Sequence, residues 1–273
     1  VSSGTDMPAR SPISSERPVV IGMLHAPALP ASPLCGHTPA DIRTAVLRDA
    51  EAWVTGGVRF LMLENFGDTP FFPGAVPATT VSHMAVLARD VVSEFPDVSL
   101  GINVLRNDGC SALAVAHAAN GQFIRVNVLC GARLTDQGIV EGIAHELMRL
   151  RAELKADHIA VLADVDVKHS APLAARPLES EVSDLIRRGH ADALIVSGDG
   201  TGLPVDIEHL RRVAEAADDT PVFVGSGVNA DNAAELAQSA SGLIVGTAAK
   251  QEGNVLAPVE VERVRRIVAA THQ

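Results

Sequence analysis

The stretch Pro221-Val-Phe-Val-Gly-Ser-Gly-Val-Asn-Ala-Asp-Asn232, with Gly242-Leu-Ile-Val-Gly-Thr247 soon after it, decides the fold. Each segment is a short apolar run that ends in glycine and a small polar residue, and an Asn/Asp-rich helix start follows the first. Glycine lets backbone N–H groups approach a ligand, and a helix N-terminus offers unpaired N–H donors to an anion. Two such turns near the C-terminus are typical of the phosphate site after strands 7 and 8 of a (β/α)8 barrel. The interpretation without a ligand is two tight strand-to-helix turns.

Similar apolar runs recur along the chain, and helical patterns separate them. Most are apolar on both faces, as in a buried parallel sheet. The eight runs are Val19–Leu24, Val58–Leu63, Val98–Leu105, Phe123–Leu129, Ile159–Val167, Ala193–Val196, Val222–Val224 and Leu243–Val245. Strands alternating with helices over 273 residues predict an α/β fold, a single (β/α)8 TIM barrel, with an open doubly wound sheet as the alternative.

The composition limits the partners. A net charge of −11 without a basic block argues against nucleic acid, and no apolar run reaches membrane-spanning length. Three cysteines without C-x-x-C spacing fit a reducing compartment, so we expect a cytoplasmic protein without a membrane anchor. Residues 1–17, rich in Ser, Pro and Arg, are interpreted as a disordered tail, and residues 18–273 as one barrel domain. A homo-oligomer stays open.

Strand 5 carries the sharpest candidate site. Asp164, Asp166 and Lys168 alternate with valines, so their side chains are predicted to leave the strand on one face. If that face is the barrel lumen, the charged groups must pair, bind a cation or contact substrate, because burying them unpaired is costly. We favour a functional role for Asp166 and Lys168. For Asp164, which lies deeper, a structural ion pair with Arg125 explains the residue equally well.

Other strand ends supply further candidates for acid–base catalysis. Glu64 follows strand 2, Asn127 lies on strand 4 and His169 follows strand 5. A carboxylate or histidine at the mouth can move a proton, and an amide can orient a substrate. The structural alternatives are a solvated loop residue and a packed, hydrogen-bonded histidine. Each of the three is therefore a candidate contact of the substrate.

Lys168 has two candidate roles. A desolvated lysine can attack a carbonyl to form a Schiff base, but the adjacent Asp166 favours the charged ammonium, which is not nucleophilic. We therefore prefer electrostatic stabilisation of a developing oxyanion. Lys250, after strand 8, is predicted either to close over a phosphate or to be solvated.

The predicted anion site and a predicted metal site both lie at this mouth. The residues expected to hold a phosphate are Gly225, Ser226, Gly227, Val228, Gly246 and Thr247, together with Ser197 and Gly198 at the end of strand 6. The carboxylates at predicted strand ends are Glu64, Asp68, Asp108, Asp136, Asp166 and Asp199. An oxygen-rich opening suits Mg²⁺, with Glu64 and Asp166 as candidate ligands, although loop aspartates are also common turn formers.

Several blocks together resemble the BtpA/SgcQ family over about residues 18–270. The matching blocks are Val20-Ile-Gly-Met-Leu-His25, Glu64-Asn-Phe-Gly-Asp68, Gly101-Ile-Asn-Val-Leu-Arg-Asn-Asp108, Phe123-Ile-Arg-Val-Asn127, Thr135-Asp-Gln-Gly138, Ala163-Asp-Val-Asp-Val-Lys-His169, Ala193-Leu-Ile-Val-Ser-Gly198, Val224-Gly-Ser-Gly-Val228 and Ile244-Val-Gly-Thr247. Asp166 departs from the pattern, because we expect His there in many relatives. The resemblance implies a (β/α)8 barrel and a family named for photosystem I biogenesis, with other members near sugar-phosphate genes. It implies no particular reaction.

Three hypotheses follow. The first is an enzyme acting on a small phosphorylated sugar or nucleotide-like substrate, by acid–base isomerase or lyase chemistry or by transfer or cleavage at a glycosidic carbon. The second is a non-catalytic assembly or stability factor that keeps the barrel and its anion pocket. The third is a metal-dependent hydrolase that uses the acidic mouth. The fold alone does not choose among them.

Overall fold

The computed structural model describes residues 18–198 and 205–272, and the described chain forms alternating strands and helices. The strands are β1 (Val19–His25), β2 (Phe60–Glu64), β3 (Ser99–Asn103), β4 (Phe123–Val126), β5 (Ala132–Thr135), β6 (Gly138–Glu141), β7 (Ala160–Asp164), β8 (Ser170–Pro172), β9 (Ala193–Val196), β10 (Val222–Val224) and β11 (Gly242–Val245). Eight of them close into a parallel barrel in the order β1-β11-β10-β9-β7-β4-β3-β2. The predicted (β/α)8 barrel is confirmed, and the open sheet is excluded.

The helices connect successive barrel strands. They are α1 (Pro39–Thr55), α2 (Ala78–Glu94), α3 (Gly109–Ala119), α4 (Ala144–Glu153), α5 (Leu178–Ser183), α6 (Ile207–Ala217), α7 (Ala233–Ala237) and α8 (Val261–Thr271). A π-helical turn, Asp184–Arg188, continues α5, and two 3₁₀ turns, Thr247–Ala249 and Gln251–Gly253, follow β11. None of the described helices has both the length and the apolar character needed to cross a membrane.

The start of α1 shows how the sequence specifies a boundary. The Thr38 side chain accepts a hydrogen bond from the backbone N–H of Asp41, and the Asp41 carboxylate bonds back to the Thr38 N–H. Pro39 occupies the first helical turn, where its missing N–H costs nothing. The capping box therefore begins the helix at Pro39.

Two apolar layers enclose the barrel wall. Side chains such as Met62, Phe123 and Phe223 fill the lower interior, and a second layer packs between the strands and the helices. Phe123 fits inside because Gly101 has no side chain: a Cβ there would lie 2.0 Å from the ring. Because the lower barrel is plugged, only its C-terminal end is left for polar groups.

Parallel register brings particular residues together at that end. His25 on β1 pairs with Glu64 on β2, and Glu64 pairs in turn with Asn103 on β3. These three residues therefore stand side by side at the strand ends, although long helical segments separate them in sequence.

A small antiparallel sheet was not predicted. The strands β6, β5 and β8 form it, in that order. Thr135 and Gly138 face each other across its hairpin, and α4 begins only at Ala144. The segment is so short that Ile139 and Val140 satisfy both helical and strand spacing.

Candidate functional site

A cavity of 570 Å³ opens at the C-terminal end of the barrel. Its wall combines the turns after β10 and β11 with side chains from β1, β2, β4 and the segments after β3 and β7. The polar lining residues are His25, Glu64, Thr69, Arg106, Arg125, Asn127, Asp136, Lys168, His169, Ser226, Asn229 and Thr247. Sequence reasoning named most of these residues, but it also named several that lie elsewhere.

The two glycine-containing turns do line the cavity. Residues 225–229 and 246–248 contribute to its wall. Gly227 has a φ of +68°, a left-handed conformation that glycine adopts without strain. The Asn229 side chain accepts the N–H groups of Asp231 at 2.8 Å and Asn232 at 3.2 Å, so the turn after β10 is held in shape from within.

The first glycine of each turn also has a packing reason. A Cβ on Gly246 would lie 2.8 Å from the His25 ring, and one on Gly225 would lie 2.7 Å from the Ser197 hydroxyl. The Gly225 N–H donates to the Val196 carbonyl at 2.7 Å, so the sheet already uses this donor. Any anion at this turn must therefore be bound by the residues that follow Gly225.

The cavity floor is a buried ion pair. Arg125 donates to both carboxylate oxygens of Asp164, Nε to Oδ2 at 3.0 Å and Nη2 to Oδ1 at 2.8 Å. Asn127 donates to Asp164 Oδ2 at 2.8 Å, and the Ser197 hydroxyl lies 3.4 Å from Oδ1. Asp164 thus holds Arg125 and Asn127 in place beneath the cavity. This is the structural interpretation of Asp164 that the sequence left open. The Ser197 hydroxyl lies beside this ion pair instead of in the predicted phosphate site, and Gly198 is buried.

The prediction that Asp164, Asp166 and Lys168 share one face is wrong. The strand ends at Asp164, so the alternation of side chains stops there. Lys168 turns into the cavity, whereas the Asp166 carboxylate pairs with the Arg133 guanidinium and lies 3.3 Å from His209 Nε2.

Asp166 is therefore part of a separate ion-pair cluster. The His209 imidazole, followed by the Arg133 guanidinium, holds the pKa of Asp166 below its ordinary value, although partial burial acts in the opposite direction. The pKa of His209 is raised in turn by Asp166. The His209 side chain, in contact with Asp166, is 26% exposed.

Burial shifts the pKa values of three groups in the cavity. Burial and then Arg125 lower the pKa of Lys168 to about 8, opposed by Glu64 and Asp164. Burial raises the pKa of Glu64. Burial, followed by the charges of nearby lysines and Arg125, lowers the pKa of His25 to about 3. Groups that titrate outside their ordinary range, gathered in one cleft, are typical of a catalytic site.

His25 and Arg106 are site residues that sequence reasoning undervalued. His25 Nε2 lies 3.9 Å from Glu64 Oε1, and its ring centroid lies 4.6 Å from that of Phe66. Arg106 is buried, and its guanidinium donates to the Lys168 carbonyl while lining the cavity. The sequence signal for Arg106 was its position directly after an apolar strand, where an arginine side chain can be buried.

Of the six carboxylates predicted at the acidic mouth, three lie elsewhere, and Asp166 in its pair with Arg133 is one of these. Asp68 accepts the Leu29 N–H at 2.7 Å, and Asp108 caps α3 through the Ser111 N–H at 2.9 Å. Glu64 and Asp136 do line the cavity, and Asp199 lies outside the described residues. Local turn and cap chemistry accounts for the other two carboxylates.

The side chains do not fit the predicted metal site. Glu64 lies on the cavity wall, whereas Asp166 pairs with Arg133. Within residues 18–198 and 205–272, no group of three or more His, Cys, Asp or Glu side chains is arranged to hold a metal ion. We therefore derive no step that uses Mg²⁺.

Lys250 does not reach a ligand site. Its side chain is buried and its ammonium forms an ion pair of 2.5 Å with Asp49 on α1. Both predicted roles, closure over a phosphate and exposure to solvent, are wrong. His169, by contrast, stands exposed at the cavity rim, and Asn127 lies buried at its base.

Comparison with known proteins identifies the family. The model of the BtpA family matches residues 16–273. The chain belongs to the BtpA family. It is 46% identical over 253 residues to an uncharacterized protein of Thermococcus kodakarensis, covering 93% of this chain and 95% of the relative. It is 43% identical over 251 residues to the photosystem I biogenesis protein BtpA of Synechocystis, covering 92% of this chain and 87% of that protein.

The BtpA-family barrel also resembles solved enzyme structures. The N-(5'-phosphoribosyl)anthranilate isomerase of Pyrococcus furiosus superposes with a TM-score of 0.54 at 12% identity, covering 93% of this chain and 98% of the isomerase. At this identity the likeness concerns the fold alone. The resemblance inferred from the sequence blocks is thus confirmed at the level of family and fold.

Proposed function

We propose that this BtpA-family barrel is an enzyme that acts on a small phosphorylated sugar or nucleotide-like sugar. One observation carries the proposal: Arg106, Arg125 and Lys168 line a single cavity, beside the carboxylates of Glu64 and Asp136, in a chain whose net charge is −11. Cationic side chains gathered in a cleft can attract an anion even where the molecule as a whole is acidic. The volume of 570 Å³ lies within the range of small-molecule sites, about 300–1,000 Å³.

The ring order supports a position for the phosphate. The turns after β10 and β11 lie three or four strands around the eight-stranded barrel from β3 and β4, which lead to Arg106 and carry Arg125. The Arg125 side chain spans this distance, because a Cβ on Gly225 would lie 3.4 Å from its Nη2. In our proposal the phosphate lies between the Arg125 guanidinium and the backbone of Ser226–Val228 and Gly246–Thr247. Charge-assisted hydrogen bonds of this kind are the stronger ones.

Glu64 and Lys168 are the proposed catalytic residues. Glu64 has a raised pKa and lines the same cavity, so it is suited to move a proton to or from a substrate carbon or oxygen. Lys168 stabilises the negative charge that develops on the substrate oxygen. His25 stays neutral at physiological pH and can exchange a hydrogen bond with either group. Isomerisation, lyase chemistry and transfer at a glycosidic carbon all use such a set.

Matched ligand pairs test the phosphate. Ribose and ribose 5-phosphate, and glucose and glucose 6-phosphate, would be compared by thermal shift and calorimetry. We expect the phosphorylated member of at least one pair to raise the melting temperature and the plain sugar to have no effect, since only the phosphate meets the cationic lining. If both members of every pair behave alike, the proposal is wrong.

A matched pair of variants tests the cavity. Lys168→Met and Lys155→Met each remove one positive charge, but only Lys168 lines the cavity, while Lys155 is exposed after α4. We expect Lys168→Met to weaken binding of the phosphorylated ligand about tenfold or more, the scale of a charged hydrogen bond. Lys155→Met should bind as the wild type does. Equal losses of affinity in the two variants would mean that binding depends on the net charge of the protein and not on the cavity.

The second candidate function is a non-catalytic role in assembling another complex. The 43% identity to the Synechocystis photosystem I biogenesis protein favours it. In this case Lys168→Met and Glu64→Gln leave the biological role intact in the source cell, whereas an enzyme loses it with either change. Complementation of a deletion strain by these two variants, with Lys155→Met as control, distinguishes the candidates.

A further inference from the structure

Lys168 is chemically distinct among the lysines of this chain. The sequence contains three: Lys155, Lys168 and Lys250. Lys155 is exposed, and Lys250 is buried in its pair with Asp49. Lys168 alone of the three lines the cavity, so the chain provides two internal controls for any reaction of an amine.

The carboxylates that neighbour Lys168 in sequence are engaged elsewhere. Asp164 accepts hydrogen bonds from Arg125 and Asn127, and Asp166 pairs with Arg133. Among residues 18–198 and 205–272, no carboxylate forms an ion pair with the Lys168 ammonium. Asp166 was expected to keep the Lys168 ammonium charged, but its carboxylate pairs with Arg133 and does not stabilise that charge.

The groups that surround Lys168 favour its neutral form. Arg106 and Arg125 add positive charge, while Glu64 and Asp164 oppose them in part. His25, on β1 across the ring from β7, is neutral at physiological pH and adds no charge of either sign. Burial acts in the same direction as the arginines, and the resulting pKa of about 8 leaves about a tenth of the amine neutral at pH 7. A neutral, desolvated lysine in a cavity is the form that attacks a carbonyl.

We infer that Lys168 is a nucleophile that forms a Schiff base with an aldehyde or ketone group of the substrate. This role replaces the electrostatic role given to Lys168 in the proposed function, and for the phosphate of the substrate the inference rests on that proposed function. The substrate class becomes a small carbonyl compound that carries a phosphate. The reaction class becomes making, breaking or rearranging a bond at the carbon next to the carbonyl.

The chemistry balances without any further reactant. The neutral amine attacks the carbonyl carbon and forms the C–N bond, and the carbonyl oxygen leaves as water with one proton from the amine and one from protonated Glu64. The iminium ion then accepts the electron pair of a neighbouring C–H bond, whose proton passes to the Glu64 carboxylate. If the bond is a C–C bond, the second fragment leaves as a carbonyl compound, and its hydroxyl proton passes to Glu64. Return of a proton to carbon and addition of water to the C=N bond release the product and restore the amine.

Reductive trapping with two small aldehydes tests the inference. The protein is incubated with glycolaldehyde or with glycolaldehyde phosphate in the presence of cyanoborohydride at pH 7, and the labelled lysines are located by peptide mass spectrometry. We expect Lys168 to be labelled about tenfold or more faster than Lys155, because more of it is neutral at this pH. Lys250 should remain unlabelled in the folded protein.

The two probes separate the inference from the proposed function. Preferential labelling of Lys168 by both aldehydes, and faster by the phosphorylated one, supports both. Preferential labelling at equal rates supports the Schiff base but contradicts the phosphate site. If Lys168 is labelled no faster than Lys155 by either aldehyde, the Schiff base is overturned, and the phosphorylated sugars of the thermal shift still test the phosphate site.

Asp166→Asn serves as a second variant. If Asp166 faced Lys168, its loss would lower the pKa of the lysine and speed labelling at pH 7. With Asp166 paired to Arg133 instead, we expect the labelling rate of Lys168 to stay within about twofold of wild type, a pKa change of about 0.3. A large increase would place Asp166 beside Lys168 and restore the argument for a charged ammonium.

Discussion

Lys168 and Lys250 are withdrawn from solvent in two different regions of the molecule. Lys250 packs beside α1, outside the barrel, where its ammonium forms an ion pair of 2.5 Å with the Asp49 carboxylate. The same carboxylate also pairs with Arg48 and accepts a hydrogen bond from the Val259 N–H. Lys168 lies in the cavity with arginines nearby and no ion-paired carboxylate in the described chain. A buried cation with a complete set of partners is structural, and one without them is available for chemistry.

The largest effect should come from breaking the structural pair. Lys250→Met leaves the Asp49 carboxylate buried without one of the two cations that pair with it. We expect this loss to cost about 3–5 kcal/mol in the free energy of unfolding. Lys168→Met removes the same charge from a site without a close partner, so its cost should stay below about 1 kcal/mol. Urea unfolding of both variants measures the difference. Equal losses would mean that the two lysines are equally well paired.

The next effect concerns the cavity floor. Asp164→Asn leaves the Arg125 guanidinium buried beside a neutral amide, and we expect a loss of about 3 kcal/mol in unfolding free energy. Asp136→Asn, a change of the same type on the cavity wall, should cost less than about 0.5 kcal/mol. Urea unfolding again provides the measurement. A stable Asp164→Asn protein would show that Arg125 has another partner.

A smaller effect should appear as a pH dependence. The folded pKa of His25, about 3, lies below its unfolded value, so the unfolded chain takes up the proton first. Stability from this residue is therefore present above about pH 6.5 and is lost as the pH falls toward 3, by about 2 kcal/mol at pH 5. Glu64, whose pKa is raised, acts in the opposite direction.

Replacement of the histidine isolates its contribution. We expect His25→Gln to lose less stability than the wild type between pH 7 and pH 5, as measured by urea unfolding at both values. The Glu64 contribution is present in both proteins and cancels in the comparison to first order. Parallel curves for the two proteins would contradict a buried, neutral His25.

The smallest effect is expected at Asp166. Its carboxylate is 40% exposed, so its pairs with Arg133 and His209 are screened by solvent. We expect Asp166→Asn to cost less than about 1 kcal/mol in urea unfolding at pH 7. It should also leave binding of any phosphorylated ligand unchanged. A loss of ligand affinity comparable with that of Lys168→Met would return Asp166 to the cavity.

Much of the barrel was predictable because its signals are local. Runs apolar on both faces indicate strands of a buried parallel sheet, and Thr38 with Pro39 marks the start of α1. The Arg125–Asp164 pair was also foreseen, because a charge inside a barrel needs an opposite charge within reach. The small sheet of β5, β6 and β8 was missed, since four-residue strands carry too few residues to define a period.

The site was predictable only in part, because its membership depends on where each strand ends. The alternation of Asp164, Asp166 and Lys168 appears continuous in the sequence, but β7 ends at Asp164, and the last bond to the neighbouring strand is that of the Val165 N–H to the Ile195 carbonyl. Beyond that residue the backbone turns, and the next two charged side chains point to different places. The residue at which β7 ends depends on its pairing with the neighbouring strands, which no local sequence pattern specifies.

The amino-acid sequence by itself determined the barrel, the family and the gathering of glycines and charged residues at one set of strand ends, because periodicity and turn chemistry act between near neighbours. Closure of the ring decided the rest. It brought His25 beside Glu64, placed Arg106 and Arg125 around Lys168, and left Asp166 and Lys250 with partners outside the cavity. The energy of a charge depends on which groups surround it in space, and only the tertiary structure sets those distances.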